Sequence, residues 1–535
     1  METLVRTTAG YIKGVARSGL LTWRGVPYAG LVDGDRRWRV PHPVQPWARV
    51  KECTDYGAKA WQPASLWGTK LVGGPDCLNL DIVRPDTDEQ LPVVVYFHGG
   101  SYLVGSSHET MLRGHNFVRA LDVVYVSVNF RLGVFGYLDL SEIEGQCVPT
   151  PAMHDQLAAL RWVKKNIAAF GGDSTNIAIM GESAGAASVI SLMASPAARG
   201  LFHKAIAQSA PAASFHSQAQ SRRWARALMD NLKLHDLADM SVLRALPPAD
   251  LVRAGSLSQL RLRDMLNLNS PYGPVVDGHV LPQHPLDAFA EGRQAPVPLL
   301  IGTNNDEASV AKALYVRESA RSRSAHRMLT AFDNQRAHEV LREYSAAFSR
   351  EEFANLLTDA VFWVPSVRLA EAHARIADTW MYRFDFAPVA LRRLGIGAMH
   401  SLELTAVFGD MNASRVSGLN KLGGTAEFAA LTTELQAYWG NFIHHSKVGS
   451  GWPRYRAAVA DRMPRRATKV FDTPSTVVYD PASQRRQAWE NYDLRQWGED
   501  DADITSPTRV ARTLAMLESI LPRTTQRSLS QEGRR

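Results

Sequence analysis

Ser183, at the centre of Gly181-Glu182-Ser183-Ala184-Gly185, has the neighbours a nucleophilic serine needs. This G-x-S-x-G pattern follows the apolar run Asn176 to Met180 and precedes the small residues Ala186, Ala187 and Ser188, which read as the opening of a helix. A tight turn from strand to helix exposes a serine hydroxyl, and bulky flanking residues would collide with both elements. The helix N-terminus adds unpaired N–H groups and positive potential beneath that hydroxyl. The bare pattern also fits a glycine-rich turn with a capping serine, so context has to discriminate.

Serine attacks a carbonyl only when a base takes its proton, an acid orients the base and N–H donors receive the oxyanion. Directly after the run Leu91 to Phe97 stand His98, Gly99, Gly100, Ser101 and Tyr102. Glycines there can turn their N–H groups toward an oxyanion where a side chain would obstruct, so Gly99, Gly100 and the amide of Ala184 are the expected donors. A plain β-turn is the alternative reading, and His98 is read as structural. The acid and then the base are expected downstream of the serine, on loops that follow strands. The run Pro298 to Thr303 leads into Asn304, Asn305, Asp306 and Glu307, and the run Thr379 to Phe386 leads into a loop with His400. The residues themselves leave Asp306 and Glu307 open as the acid, and His400 is one of 16 histidines.

The elements that must hold these loops alternate between buried strands and helices, the pattern of an α/β fold with a mainly parallel sheet flanked by helices. Strands are expected at Leu91 to Phe97, Val123 to Phe130, Asn176 to Met180, Pro298 to Thr303 and Thr379 to Phe386. Apolar residues at Met153, Leu157, Leu160, Val163, Ile167 and Phe170 step by three or four and mark a helix ended by Gly171 and Gly172. Long helical insertions at about 216–268 and 310–375 are expected to cap the carboxyl edge of the sheet. One domain is expected over 1–505, followed at 506–535 by a helix (ARTLAMLESIL) and a polar, basic tail.

The chain has 535 residues, 45% hydrophobic, 21% charged and 9% aromatic, ordinary values for a folded globular protein. With a mean hydropathy of −0.19 and no apolar run of 18 residues, no membrane span is expected. The first residues, METLVRTTAGYIKG, lack the apolar core of a secretory signal, so the expected location is cytoplasmic. Cys53, Cys77 and Cys147 fit neither a disulfide framework nor a zinc site and are expected to be reduced. His444 and His445 lack a third ligand at metal spacing, so neither metal nor cofactor is expected. The net charge of +7 is spread in short groups such as Arg36, Arg37 and Arg39, which reads as a solvated basic surface rather than a nucleic-acid site.

The blocks DCLNLDIVRP from Asp76, YFHGGSY, VSVNFRLGVFGYL, FGGDSTNIAIMGESAGAASV, KAIAQSA, GPVVDGHVLP, IGTNNDEAS, GAMHSLELTAVFGD and WPRY occur in that order, and with them nearly the whole chain resembles the type-B carboxylesterases. The resemblance implies the α/β-hydrolase fold, a Ser-Glu-His triad of Ser183, Glu307 and His400, and a small-molecule ester as substrate. It prefers Glu307 over Asp306, and it makes Ser209 of AIAQSA a residue that supports the acid. Thioester, amide or carbamate hydrolysis remains an alternative, as does a non-catalytic, cholinesterase-like binding protein, although this chain keeps all three triad residues. One departure stands out: AKAWQP, residues 58–63, occupies the place of a family cysteine, which leaves Cys77 without its usual partner.

Overall fold

The run Leu91–Phe97 is buried along its whole length, and its side chains alternate between two cores, Val93, Val95 and Phe97 on one side and Val94 and Tyr96 on the other. A strand covered on both faces requires that pattern. In the computed structural model, which describes residues 2–65, 70–234, 240–259, 270–413, 423–456 and 466–495, eleven strands form one sheet. They are β1 (Val15–Arg17), β2 (Leu20–Pro27), β3 (Asn79–Pro85), β4 (Leu91–Phe97), β5 (Val124–Val128), β6 (Gly172–Glu182), β7 (Lys204–Gln208), β8 (Leu299–Asn304), β9 (Thr379–Phe384), β10 (Ala467–Phe471) and β11 (Thr476–Tyr479). The spatial order is β11-β10-β9-β8-β7-β6-β4-β5-β3-β2-β1. The seven strands β4 to β10 run parallel, and antiparallel pairs close both ends of the sheet.

Expected and observed elements differ at their ends. The strand read at Asn176 to Met180 extends over Gly172–Glu182, because Gly172 pairs with Leu91 and Gly181 with Phe97 across a break in register. The expected helix is α1 (Pro151–Asn166), continued by a 3₁₀ turn at Ile167–Phe170 and stopped at Gly171, whose φ of 71° only glycine adopts readily. The structure also shows α2 (Ala184–Ala194) directly after Ser183.

The insertions are helical in their described parts. The first holds α3 (Gln218–Asn231) and α4 (Pro248–Gln259), and the second holds α5 (Glu318–Phe332), α6 (Ala337–Glu343), α7 (Arg350–Thr358) and α8 (Val364–His373). A π-helical turn, Asp359–Trp363, joins α7 to α8. Such turns shift the side chains that follow by one position and recur at functional sites. On the opposite face of the sheet, α9 (Thr425–His445) buries Phe428, Leu431, Leu435, Trp439 and Phe442 against β9 residues Trp380 and Tyr382. The expected helix and tail at 506–535 lie outside the described residues. Cys53, Cys77 and Cys147 are buried and unpaired.

Candidate active site

Ser183 sits where β6 becomes α2, with φ 57° and ψ −127°, a conformation rare for any residue with a side chain. Neighbouring elements hold it there: Ser183 N–H donates to Gln208 O on β7 at 2.9 Å, and Ala187 N–H donates to Ser183 O at 3.0 Å. The turn needs close approach, since a Cβ at Gly185 would lie 2.0 Å from Phe97 O. The smallness read from the sequence is therefore a packing requirement set by β4.

Glu307 lies three residues beyond β8 and is buried. Asn304 N–H donates to its Oε1 at 2.8 Å, and its Oε2 is 2.5 Å from His400 Nδ1. His400 Nε2 is 2.9 Å from Ser183 Oγ. The donor roles that complete both contacts put a proton on Nδ1 and leave Nε2 to accept from the serine. The chain thus brings together residues 93 and 217 positions apart. Asp306 turns the other way and bonds the loop that carries His400, with Ala398 N–H donating to its Oδ2 at 2.9 Å.

Of the expected oxyanion donors, Gly99 and Ala184 lie next to the serine. A Cβ at Gly99 would come within 3.1 Å of Ser183 Cβ, and one at Gly100, whose φ is 118°, would lie 1.9 Å from Val104 O. The loop is closed by Leu103 and Val104 N–H groups donating to Gly100 O. Ala184 is the first residue of α2, so its N–H has no intrahelical acceptor. His98 is structural, as read: it is buried, stacks on Phe130 at 4.5 Å, donates from Nδ1 to Gly99 O and is pushed down to about 4 by burial. Ser209 N–H donates to Gly302 O at 2.8 Å, but no hydrogen bond among the described residues joins its hydroxyl to Glu307.

Two further carboxylates crowd the histidine. Glu182 Oε1 is 3.3 Å from His400 Nε2 and accepts from Ser401 Oγ at 2.5 Å. Glu403, fully buried, accepts from Asn304 Nδ2 at 2.5 Å. Burial raises the Glu182 carboxyl above the ordinary range. Burial, then the charges of Glu182 and Glu307, push Glu403 up to about 8. For His400, burial opposes the imidazolium, but Glu182 and Glu307 outweigh it and hold the ring above the ordinary imidazole value. The sequence reading gave neither glutamate a role, although Glu182 lies inside the G-x-S-x-G pattern and Glu403 inside the block GAMHSLELTAVFGD. It also missed Phe362, a half-buried ring on the π-helical turn with its centroid 4.8 Å from that of His400. Of the tryptophans weighed as core or pocket, Trp363 is core, Trp61 is half-buried and Trp67 lies outside the described residues. His444 Nε2 donates to Leu121 O at 2.8 Å.

A parallel sheet flanked by helices, with a serine on a strained strand-to-helix turn and a histidine beyond a later strand, is the α/β-hydrolase architecture. The family model of the carboxylesterases matches residues 1–497, and the chain belongs to that family. It is 32% identical over 495 residues to a para-nitrobenzyl esterase of Bacillus subtilis (strain 168), covering 90% of this chain and 98% of that protein. A phenmedipham hydrolase of Pseudarthrobacter oxydans is 31% identical over 474 residues, 85% of this chain and 93% of that one. Among solved structures, a PNB esterase superposes with a TM-score of 0.80 at 32% identity, covering 91% of this chain and 99% of the other. A Geobacillus stearothermophilus carboxylesterase gives 0.78 at 32%, covering 91% and 100%. The chain is an ester-hydrolysing enzyme, and small-molecule esters are its substrate class. Among the described residues no helix is long and apolar enough to cross a membrane.

Proposed function

We propose that the chain hydrolyses carboxylic esters through an acyl-enzyme formed on Ser183, with His400 as general base and acid, Glu307 as its orienting acid and the N–H groups of Gly99, Gly100 and Ala184 as the oxyanion hole. The observation that carries this reading is the hydrogen-bonded line from Ser183 Oγ through His400 to Glu307, at 2.9 and 2.5 Å. His400 Nε2 takes the serine proton as Oγ attacks the carbonyl, and the N–H groups receive the charge that develops on the carbonyl oxygen. The alcohol leaves with that proton. Water then gives its proton to Nε2 and attacks the acyl carbon, and Ser183 recovers its hydrogen as the carboxylic acid departs. While Nε2 carries the proton, Glu182 Oε1 at 3.3 Å supports the imidazolium from a second side. Asn304 N–H holds Glu307 in place, and Ser209 is buried with its N–H bonded to Gly302 O on β8, the strand that leads to that acid.

The same groups can attack thioester, amide or carbamate carbonyls. Esters are favoured because the family and the relatives at 31–32% identity include named esterases. The test is turnover of p-nitrophenyl esters from acetate to long acyl chains by native protein and Ser183→Ala, alongside matched thioester, anilide and carbamate substrates. A loss in kcat on the order of 10⁶-fold for Ser183→Ala supports the assignment. Native-like turnover in that variant rejects it, and a faster non-ester substrate moves the physiological bond.

A further inference from the structure

The acid loop and the base loop meet at one residue that the triad leaves unused. Asp306 N–H donates to Ala398 O at 3.0 Å, and Ala398 N–H donates back to Asp306 Oδ2 at 2.9 Å. The chain segments run parallel there, with Asp306 paired to Met399. Asn304 Nδ2 adds a bond to Met399 O at 2.9 Å, and Asn305 Nδ2 donates to Asp306 Oδ2 at 3.2 Å. Gly397 is shaped to this contact: its φ is 68°, and a Cβ there would lie 2.3 Å from Asp306 Oδ2. Glu307 is the next residue after Asp306, and His400 follows Ala398 by two. A shift of either loop at the Asp306–Ala398 contact therefore passes directly to the Glu307–His400 distance.

We infer that Asp306 is a positioning residue for the hydrolytic reaction: it fastens the loop of His400 to the loop of Glu307 through both of its hydrogen bonds to Ala398, and so sets the separation and alignment of acid and base. The backbone half of the clasp survives any substitution, whereas the side-chain half needs an acceptor at the Oδ2 position. Misplacement of an oriented base by about 1 Å can cost on the order of 10²-fold in rate without touching substrate binding. This inference rests on the proposed triad.

The test compares Asp306→Ala, Asp306→Asn and Gly397→Ala with native enzyme and Ser183→Ala, using a short-chain p-nitrophenyl ester, full pH profiles of kcat/KM and thermal midpoints. Asp306→Ala is expected to lose roughly 10- to 100-fold in kcat with KM within about threefold of native. Its acid limb is expected to move toward lower pH as Glu307 loosens its hold on Nδ1. Asp306→Asn, whose amide oxygen can still accept from Ala398 N–H, is expected to recover most of the loss. Native kcat and an unmoved limb in a folded Asp306→Ala overturn the inference, as does equal loss in the Ala and Asn variants. If Asp306→Ala does not fold, Gly397→Ala decides: it drives a Cβ into the carboxylate, and a folded enzyme with native kcat overturns the inference. Full activity in Ser183→Ala defeats the triad itself, whereas an inactive Ser183→Ala beside an unaffected Asp306→Ala defeats only the role of Asp306.

Discussion

Glu182 Oε1 lies 3.3 Å from His400 Nε2, the nitrogen that faces Ser183 Oγ at 2.9 Å, so this histidine is bracketed by carboxylates at both ring nitrogens. The base works in its neutral form, and each nearby carboxylate favours the charged form. Activity should therefore rise with pH through a midpoint above the ordinary imidazole value. Glu182→Gln removes one of the two main causes of that shift, so its acid limb should move to lower pH. Profiles of kcat/KM for the two proteins check this, and superimposable limbs would remove Glu182 from the account.

Glu307→Gln keeps the size of the side chain but offers Nδ1 an amide in place of a carboxylate. The tautomer that leaves Nε2 free to accept is then no longer favoured, and kcat should fall by about 10³- to 10⁴-fold with the fold intact. Steady-state kinetics and a thermal melt together decide it; a fully active Glu307→Gln would hand the acid role to another carboxylate.

Gly100→Ala meets two obstacles, a φ of 118° and a carbonyl 1.9 Å from the new methyl group. The loop has to rearrange, which withdraws N–H donors from the oxyanion. A loss in kcat on the order of 10²- to 10³-fold is expected, with a smaller change in KM. Unchanged kcat would place the oxyanion elsewhere.

Arg131 and Asp155 form a buried ion pair, at 2.7 Å and with both side chains at most 2% exposed. Arg131→Met leaves Asp155 charged and without its partner in the core, which should cost about 3–5 kcal/mol. Denaturant unfolding measures it, and a cost below about 1 kcal/mol would mean that Asp155 finds another partner or a proton.

Four buried histidines, His98, His216, His284 and His373, are each pushed by burial down to about 4. Unfolding frees them to titrate near 6.5, so between pH 6.5 and 4 the unfolded chain binds more protons than the folded one. Stability from this source is complete above pH 6.5 and is lost as the pH falls toward 4. Thermal midpoints should drop steeply across that window, and a flat profile from pH 7 to 4.5 would contradict the burial of these rings as neutral groups.

What could be read along the chain was local. Strand runs such as Leu91–Phe97, the helix ending at Gly171 and the smallness around Ser183 each depend on residues a few positions apart, whose periodicity and steric demands are written in order. The position of His98 against Phe130 agrees with its structural reading for the same reason, since a histidine closing an apolar strand enters the core. The sequence also carried the family's block order, and with it a preference for Glu307.

The tertiary structure decided what depends on distance. Adjacent residues in a turn point to different neighbours, so only the placement of β8 beside β9 shows Glu307 facing His400 while Asp306 grips Ala398. The gathering of Glu182 and Glu403 around the same imidazole, and the delivery of Phe362 to it by a π-helical turn, likewise follow from strand order and cap packing. No pattern along the chain encodes those separations. They arise when a parallel sheet sets the carboxyl ends of strands far apart in sequence side by side.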